Sequence, residues 1–200
     1  MYRAIGFDWG GVLSGPTGEK FDRQMSDLLG VDLGEYDVVY KRYRNDFNDS
    51  RIDHVSLWEK VASEFGKSNK LGEMLDLQAT RDGVELNKGA AALVKSLSYK
   101  GLKLGLLSNN TVENGQKIRQ LPIISDFFEV IQISGEVKIS KPDVRAYELF
   151  FESMELEPNE IIFIDDDTQN TAVARSLGMM GLKFDSIDQC MDDLRTLGLG

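Results

Sequence analysis

Five short and mostly apolar segments are the feature of the sequence that most constrains its fold. Each segment is too short for a helix, and patterns typical of amphipathic helices lie between them. Such an alternation favours a parallel sheet whose right-handed crossovers place helices on both faces. The predicted fold class is therefore α/β, with a doubly wound parallel sheet of Rossmann-like type. The five predicted strands are 3–8, 103–107, 129–133, 161–165 and 181–184.

Three helical patterns are clear in the second part of the chain. Apolar residues recur at helical spacing over 87–100, and Gly101 supplies the stop. Pro142 is predicted to open the next helix, because proline is favoured in the first helical turn. A further helix is predicted over 168–177, ended by Gly178. The apolar stripe expected on the helix after Pro142 consists of Val144, Tyr147, Phe151 and Met154.

The stretch after the first strand breaks this alternation, since it contains helical patterns and no convincing strand. An all-helical insertion at this point of an α/β sheet is typical of a separate small lid. We therefore predict an α/β core of residues 1–14 and 86–200 and a helical cap of residues 15–85. The three apolar stripes behind this prediction are Phe21, Met25, Leu28 and Leu29; Tyr36, Val39, Tyr40, Tyr43 and Phe47; and Trp58, Val61, Ala62 and Phe65.

The balance of charge argues against several classes of partner. The chain of 200 residues has 23 basic and 33 acidic side chains, a net charge of −10, and an apolar fraction of 42% that suits a globular core. An acidic chain offers no basic footprint for nucleic acid and is repelled by anionic membranes. No apolar run approaches the roughly 18 residues of a membrane span. We expect a cytoplasmic protein without an internal disulfide, since Cys190 is its single cysteine and no signal peptide is evident.

Polar side chains follow the predicted strands at the edge where a doubly wound sheet binds ligands. Asp8 ends the first strand, and Ser108 and Asn109 follow the second. Lys141 precedes the next main helix, and three aspartates at 165–167 end the fourth strand. Neighbouring carboxylates raise one another's pKa unless a cation compensates them. Mg²⁺, which prefers oxygen ligands, is the simplest compensation.

Four motifs at these positions make the chain resemble the haloacid dehalogenase (HAD) superfamily. The resemblance is to the phosphatase-like subgroup with a helical cap of C1 type after the first strand. The motifs are residues 7–13 (FDWGGVL), 107–109 (LSN), 141–143 (KPD) and 164–170 (IDDDTQN). Any one of them is a weak signal, but four in order on the expected elements are a strong one.

The resemblance implies a phosphoryl-transfer site with Asp8 as a nucleophile that forms an aspartyl-phosphate. The Ser108 hydroxyl and the Asn109 backbone N–H would bind phosphate oxygens. Lys141 would offset the negative charge that gathers around Asp8 and the phosphoryl group. Lys138 is a competing candidate for this cation.

The resemblance also implies Mg²⁺ as the cofactor. The groups that would hold the ion are the Asp8 side chain, the Gly10 carbonyl and the Asp166 side chain. Asp165 would steady a water ligand of the ion or, like Asp167, be a solvated surface group. Asn170 would either support these carboxylates with a hydrogen bond or be an ordinary residue of the first helical turn.

The residue two places after Asp8 departs from the family pattern. Most phosphatases of the family carry a second aspartate there as general acid and base, whereas this chain has Gly10. The loss of such a group typically costs about 10²–10⁴-fold in rate. The substrate could have a good leaving group, as in an anomeric sugar phosphate, or turnover could be lost. A third alternative is that a water or a cap residue supplies the proton, and His54, the single histidine, is one place to look.

We therefore expect a Mg²⁺-dependent phosphatase that hydrolyses a small phosphorylated metabolite, such as a sugar phosphate, as a monomer or a homodimer. The alternative is a catalytically impaired HAD-like protein that binds phosphate or a partner without turnover, and Gly10 is its main support. A mutase is disfavoured because it depends on the missing acid. A dehalogenase is disfavoured because that branch lacks the full set of metal-binding acids.

Overall fold

The computed structural model describes residues 1–15, 19–79 and 86–199, which include a sheet of five parallel strands. The strands are β1 (Ala4–Phe7), β2 (Lys103–Ser108), β3 (Val130–Ile133), β4 (Ile161–Asp165) and β5 (Met180–Lys183). Their order in the sheet is β3-β2-β1-β4-β5. The chain fills one side of β1 before it crosses to the other, so the switch point of the sheet lies at β1 and β4. The predicted α/β class and doubly wound sheet are confirmed.

Helices cover both faces of the sheet because the strands alternate their side chains between two apolar clusters. In β4, Ile162 and Ile164 pack with residues of α5 and α11, whereas Ile161 and Phe163 pack with residues of α9 and α10. None of the helices in the described ranges combines the length and the apolar character that crossing a membrane requires. The α-helices of these ranges are α1 (Glu19–Leu29), α2 (Leu33–Asn48), α3 (His54–Glu64), α4 (Leu71–Ala79), α5 (Ala90–Tyr99), α6 (Val112–Arg119), α7 (Pro122–Ser125), α8 (Ser134–Val137), α9 (Val144–Met154), α10 (Thr168–Ser176) and α11 (Ile187–Thr196).

The helix predicted to open at Pro142 begins two residues later, so that prediction was wrong in its start. Asp143 is the N-cap of α9, and its carboxylate accepts a hydrogen bond from the Arg145 N–H at 2.9 Å. The buried stripe of α9 is also shifted from the predicted one. Val144 is exposed, and the fully buried residues of the helix are Ala146, Tyr147, Phe150 and Met154.

Residues 19–79, which we call the helical insertion, form an apolar cluster of their own. The tyrosine-rich stripe lies in its centre, where Tyr40 stacks between Tyr36 and Trp58. Three of its helices match the predicted stripes, and α4 was not predicted. The segments on either side of the insertion lie next to each other, since the Asn87 N–H donates to the Leu13 carbonyl at 2.7 Å. The predicted boundary at residue 85 lies outside the described residues.

Candidate active site

Parallel pairing brings the ends of three strands to one edge of the sheet. Phe7, the last residue of β1, is in register with Leu106 of β2 and Ile164 of β4. Asp8 therefore emerges between the ends of β2 and β4, which finish at Ser108 and Asp165. The Asp8 N–H donates to the carbonyl of Ile164 at 2.9 Å, which continues the ladder by one residue and fixes the direction of its side chain.

Lys141 joins two of the carboxylates at this edge. Its Nζ lies 2.8 Å from Asp8 Oδ1 and 2.6 Å from Asp165 Oδ2, and its side chain is only 1% exposed. An ammonium buried this deeply requires such partners, because an unpaired buried charge is very costly. The competing lysine, Lys138, points elsewhere and donates to the backbone carbonyl of Asp49 at 2.9 Å. Of the two candidate cations, the structure places Lys141 beside Asp8.

Asp165 is the most enclosed of the acidic residues at this edge. In addition to Lys141, its carboxylate accepts from the Asp167 N–H at 2.8 Å and from Asn170 Nδ2 at 3.0 and 3.1 Å. These donors occupy both oxygens of Asp165, so its main task here is to hold Lys141 and Asn170 in place. Asn170 lies in the first turn of α10 and also donates hydrogen bonds to Asp165. It is therefore both a residue of the first helical turn and a donor to the carboxylates, the two alternatives given above. Asp167 is exposed and caps α10, since its carboxylate accepts from the Gln169 N–H.

Asp8, Asp165 and Asp166, which we call the carboxylate cluster, gather carboxylate oxygens of the kind that a hard divalent cation prefers. One carboxylate oxygen from each lies within 4.8 Å of the other two. Three ionised carboxylates and one ammonium leave two net negative charges, which a divalent cation would neutralise. Oxygen donors of this kind suit Mg²⁺, and the residues at this edge therefore fit the ion.

Burial and the repulsion of neighbouring charges disfavour the ionised forms of Asp8 and Asp166. Burial, which the ammonium of Lys141 only partly offsets, raises the pKa of Asp8 to about 7, and the charge of Asp165 adds to the rise. Burial likewise raises the pKa of Asp166, and Asp165 again adds to it. For Lys141, burial lowers the pKa but Asp165 and Asp8 outweigh it, so the pKa lies above its usual range. A cation bound to the cluster would favour the ionised Asp8 that nucleophilic attack requires.

The tight turn after Asp8 contains two glycines with different requirements. Gly11 has a φ of +73°, and a Cβ at this position would lie 2.1 Å from Asp166 Oδ2. The turn can therefore approach Asp166 only because Gly11 has no side chain. Gly10 has an ordinary φ of −66°, and a Cβ there would meet only Asp8 Oδ2, at 3.9 Å. The position that carries an acid in most family phosphatases is thus sterically open.

The loop after β2 supports Lys141 in a way the sequence did not reveal. The side chain of Asn109 accepts from the Lys141 N–H at 2.8 Å and donates to its carbonyl at 2.7 Å. The family resemblance implies a role only for the backbone N–H of Asn109, as a phosphate ligand. No local signal could identify this second task, because the two residues are 32 positions apart. Ser108, the predicted phosphate-binding hydroxyl, is buried at the end of β2.

His54 and Cys190, the two other residues singled out in the sequence, lie in α3 and α11 respectively. His54 is the first residue of α3, and the centroid of its ring lies 4.5 Å from that of Phe47 inside the helical insertion. Cys190 is a buried residue of α11, and burial raises the pKa of its thiol to about 12. The thiol is therefore neutral and unreactive in the ordinary pH range, as expected of a small apolar residue.

Comparison with known proteins supports the resemblance drawn from the motifs. The family model of haloacid dehalogenase-like hydrolases matches residues 2–178. Phosphatase MT3486 of Mycobacterium tuberculosis is 26% identical over 98% of this chain and 94% of its own length. The sesquiterpene phosphatase astK of Aspergillus oryzae is 24% identical over 98% of this chain and 97% of its own length.

A solved structure has the same fold. It is that of a HAD family enzyme from Bacteroides thetaiotaomicron in complex with magnesium and inorganic phosphate, and it matches with a TM-score of 0.65 at 18% identity. The match covers 94% of this chain and 96% of the other. With the family model spanning most of its length, this chain belongs to the haloacid dehalogenase-like hydrolases.

Proposed function

We propose that the protein is a Mg²⁺-dependent phosphatase that hydrolyses a small phosphorylated metabolite through an aspartyl-phosphate on Asp8. The observation that carries this proposal is that Asp8 contacts the Lys141 ammonium, at 2.8 Å, and is itself a member of the carboxylate cluster. Two full-length relatives that are phosphatases support the reaction class. The solved structure with magnesium and phosphate supports the choice of ion and of ligand chemistry.

In the first half-reaction a carboxylate oxygen of Asp8 attacks the phosphorus atom, and the bond to the leaving oxygen breaks. Lys141 stabilises the charge on the transferring phosphoryl group, while the Ser108 hydroxyl and the Asn109 N–H bind its outer oxygens. Mg²⁺, when held by the side chains of Asp8 and Asp166 and the carbonyl of Gly10, supplies positive charge that balances the phosphate. In the second half-reaction a water attacks the aspartyl-phosphate, which releases phosphate and restores Asp8.

The leaving oxygen must be protonated, and Gly10 has no side chain that could donate this proton. A leaving group of low basicity, such as the anomeric oxygen of a sugar phosphate, needs less protonation than an ordinary alcohol. This favours a substrate of that kind among small phosphorylated metabolites. The space beside Gly10 would admit part of the substrate or a water that donates the proton.

We further propose that the helical insertion forms most of a cap of C1 type, and that this cap comprises residues 15–85. The core would then consist of residues 1–14 and 86–200. Two observations support this division. The insertion has its own apolar cluster, and the backbone segments that enter and leave it are hydrogen-bonded to each other at Leu13 and Asn87. Closure of the cap would exclude bulk water while Asp8 attacks, and opening would admit it for hydrolysis.

The direct test is phosphate release with Mg²⁺ from sugar 1-phosphates, sugar 6-phosphates, phosphoglycolate and a terpenyl phosphate. We expect Asp8→Asn to reduce release by more than about 10³-fold, because an amide cannot form the acyl phosphate. Asp167→Asn is the matched control, since Asp167 is exposed on the same edge and asparagine keeps the helix cap. Equal release by Asp8→Asn and the parent would exclude Asp8 as the nucleophile. Phosphate binding by calorimetry without release from any substrate would favour the alternative, a binding protein without turnover.

A further inference from the structure

The end of α2 carries a buried carboxylate whose partners include residues of the α/β core. Asp49 is 2% exposed, although it belongs to the helical insertion and no predicted chemistry involves it. Its Oδ1 accepts a hydrogen bond from the hydroxyl of Ser140. Its Oδ2 lies 3.1 Å from Nη2 of Arg51. Burial of a carboxylate is costly unless such partners compensate it, so this contact is a specific one.

The same segment of the insertion also binds the core backbone just before Lys141. Lys138 Nζ donates to the backbone carbonyls of Asp49 at 2.9 Å and Ser50 at 3.3 Å. In the opposite direction, Arg51 Nη2 donates to the Lys138 carbonyl at 2.7 Å. The 49–51 and 138–140 segments are therefore joined by several hydrogen bonds, in which each segment contributes both side-chain and backbone groups.

Lys141 follows directly after the 138–140 segment. On its core side, its backbone is held by the two hydrogen bonds of the Asn109 amide. On its other side, Ser140 is held by Asp49. The Lys141 ammonium must satisfy contacts of 2.8 and 2.6 Å to two different carboxylates, so small movements of its backbone would disturb both.

We infer that Asp49 is a positioning residue for Lys141: through Ser140 it couples the docking of the helical insertion to the placement of the ammonium beside Asp8. Asp49 touches neither the carboxylate cluster nor the place where phosphate would bind, so its effect is indirect. The inference rests on the proposed function for the task of Lys141, but the geometric coupling itself does not.

A second contact of the same segment points in the same direction. The Ser50 hydroxyl accepts from the Val112 N–H, at the start of α6, at 3.1 Å. Ser50 has a φ of +51°, a conformation that costs energy in a residue other than glycine. The insertion thus touches the loop that follows Ser108 and Asn109 as well as the loop that carries Lys141. Docking of the insertion would align both loops.

The variants that test the inference change the Asp49–Ser140 contact on either side. Ser140→Ala removes the donor, and Ser140→Thr keeps a hydroxyl. Asp49→Leu removes the acceptor, and Asp49→Asn keeps an oxygen that can accept. Asp46→Asn is the matched control, because the Asp46 side chain is 48% exposed and pairs with Arg51 at 3.3 Å.

The first readout is steady-state phosphate release with Mg²⁺. We expect Ser140→Ala and Asp49→Leu to lower kcat by about 10- to 100-fold, the effect of a misplaced group, with KM little changed. Ser140→Thr, Asp49→Asn and Asp46→Asn should stay near the parent. A residue that merely stabilises the fold would lower the melting temperature and leave kcat of the folded enzyme unchanged, and that result would overturn the inference.

The second readout does not depend on activity. In protein labelled with ¹³C at the lysine Cε, the Lys141 signal is identified by its loss in Lys141→Arg. We expect this signal to shift in Ser140→Ala and Asp49→Leu and to remain in place in Asp46→Asn. An unmoved signal in folded Ser140→Ala would refute the coupling, even if Asp49→Leu does not fold. If the parent hydrolyses no phosphate ester, the proposed function fails, and the lysine signal still decides the positioning role.

Discussion

Two adjacent glycines follow the proposed nucleophile, and only one of them is required by the backbone. Gly11 combines a left-handed φ with a close approach to Asp166, so any side chain would displace a carboxylate of the cluster. Gly10 has a φ open to all residues and free space around its Cβ direction. The absence of an acid at position 10 is therefore a chemical property of this enzyme and not a consequence of its turn geometry.

Gly10→Asp is expected to raise the rate of phosphate release. The new carboxyl would lie near Asp8 and could protonate the leaving oxygen, a contribution of typically about 10²–10⁴-fold. The gain should be larger for alkyl phosphates, whose leaving group is basic, than for p-nitrophenyl phosphate, whose leaving group needs no proton. Steady-state kcat for the two substrates, measured with Mg²⁺, checks this.

Gly10→Asn is the control for this change, because it adds nearly the same volume without an acid. If Asn and Asp raise the rate equally, the gain comes from packing and not from proton transfer. If neither variant gains on any substrate, then a proton donor is already present or chemistry does not limit the rate.

At the scale of elements, the sequence predicts those parts whose pattern is local. All five strands were found within about one residue of their predicted ends, because each is a short apolar run between polar turns. The short α4 was missed, since Met74 is its one fully buried residue and Gly72 lies in its first turn. The start of α9 was misplaced because the N-cap, Asp143, competes with the proline signal at Pro142.

The N-cap of α3 is expected to make a pH-dependent contribution to stability. The Asp53 carboxylate accepts from the Ser56 N–H at 2.8 Å, and this hydrogen bond lowers the pKa of Asp53 below its usual 3.8. A lowered pKa means that the stabilisation is present above the unfolded-state value and is lost as the pH falls through the folded-state value. Asp53→Ala should lower Tm by about 2–4 °C near neutral pH, and the difference should shrink below about pH 4.

Thermal unfolding of the parent and of Asp53→Ala between about pH 7 and pH 3 measures this difference. Asp53→Asn serves as the comparison, since it keeps a capping oxygen but cannot titrate, and its Tm difference from Asp53→Ala should not depend on pH. A difference between parent and Asp53→Ala that is constant across this range would show that the charge of Asp53 contributes nothing.

At the scale of the whole molecule, the sequence predicts which residues meet at the sheet edge but not what holds them there. The sequence was enough to predict that Asp8, Lys141 and Asp165 lie close together, because the carboxyl ends of parallel strands share one edge of the sheet. The contact of Asp49 with Ser140 spans 91 positions and joins a helix of the insertion to a loop of the core. Such contacts depend on how two separately packed units meet, and neither local periodicity nor a motif records that.

The charge of the whole chain implies that a cation bound at the carboxylate cluster would also change the stability of the fold. A net charge of −10, with three carboxylates gathered at one edge, favours loss of one of these charges when no cation is bound. Burial and Asp165 raise the pKa of Asp166, which means that folding disfavours its ionised form. In metal-free protein near pH 8, Asp166→Asn is therefore expected to have a higher Tm than the parent.

Mg²⁺ should reverse this order, because the parent keeps the carboxylate that is proposed to hold the ion and Asp166→Asn does not. At about 100 times its Kd, the ion should raise the Tm of the parent by about 5–10 °C and that of Asp166→Asn far less. Asp167→Asn removes the same charge one residue away, outside the carboxylate cluster, and should respond to Mg²⁺ as the parent does. Thermal unfolding of the three proteins, with Mg²⁺ and after its removal by a chelator, makes the comparison. An equal rise in Asp166→Asn and in the parent would mean that Asp166 does not hold the ion.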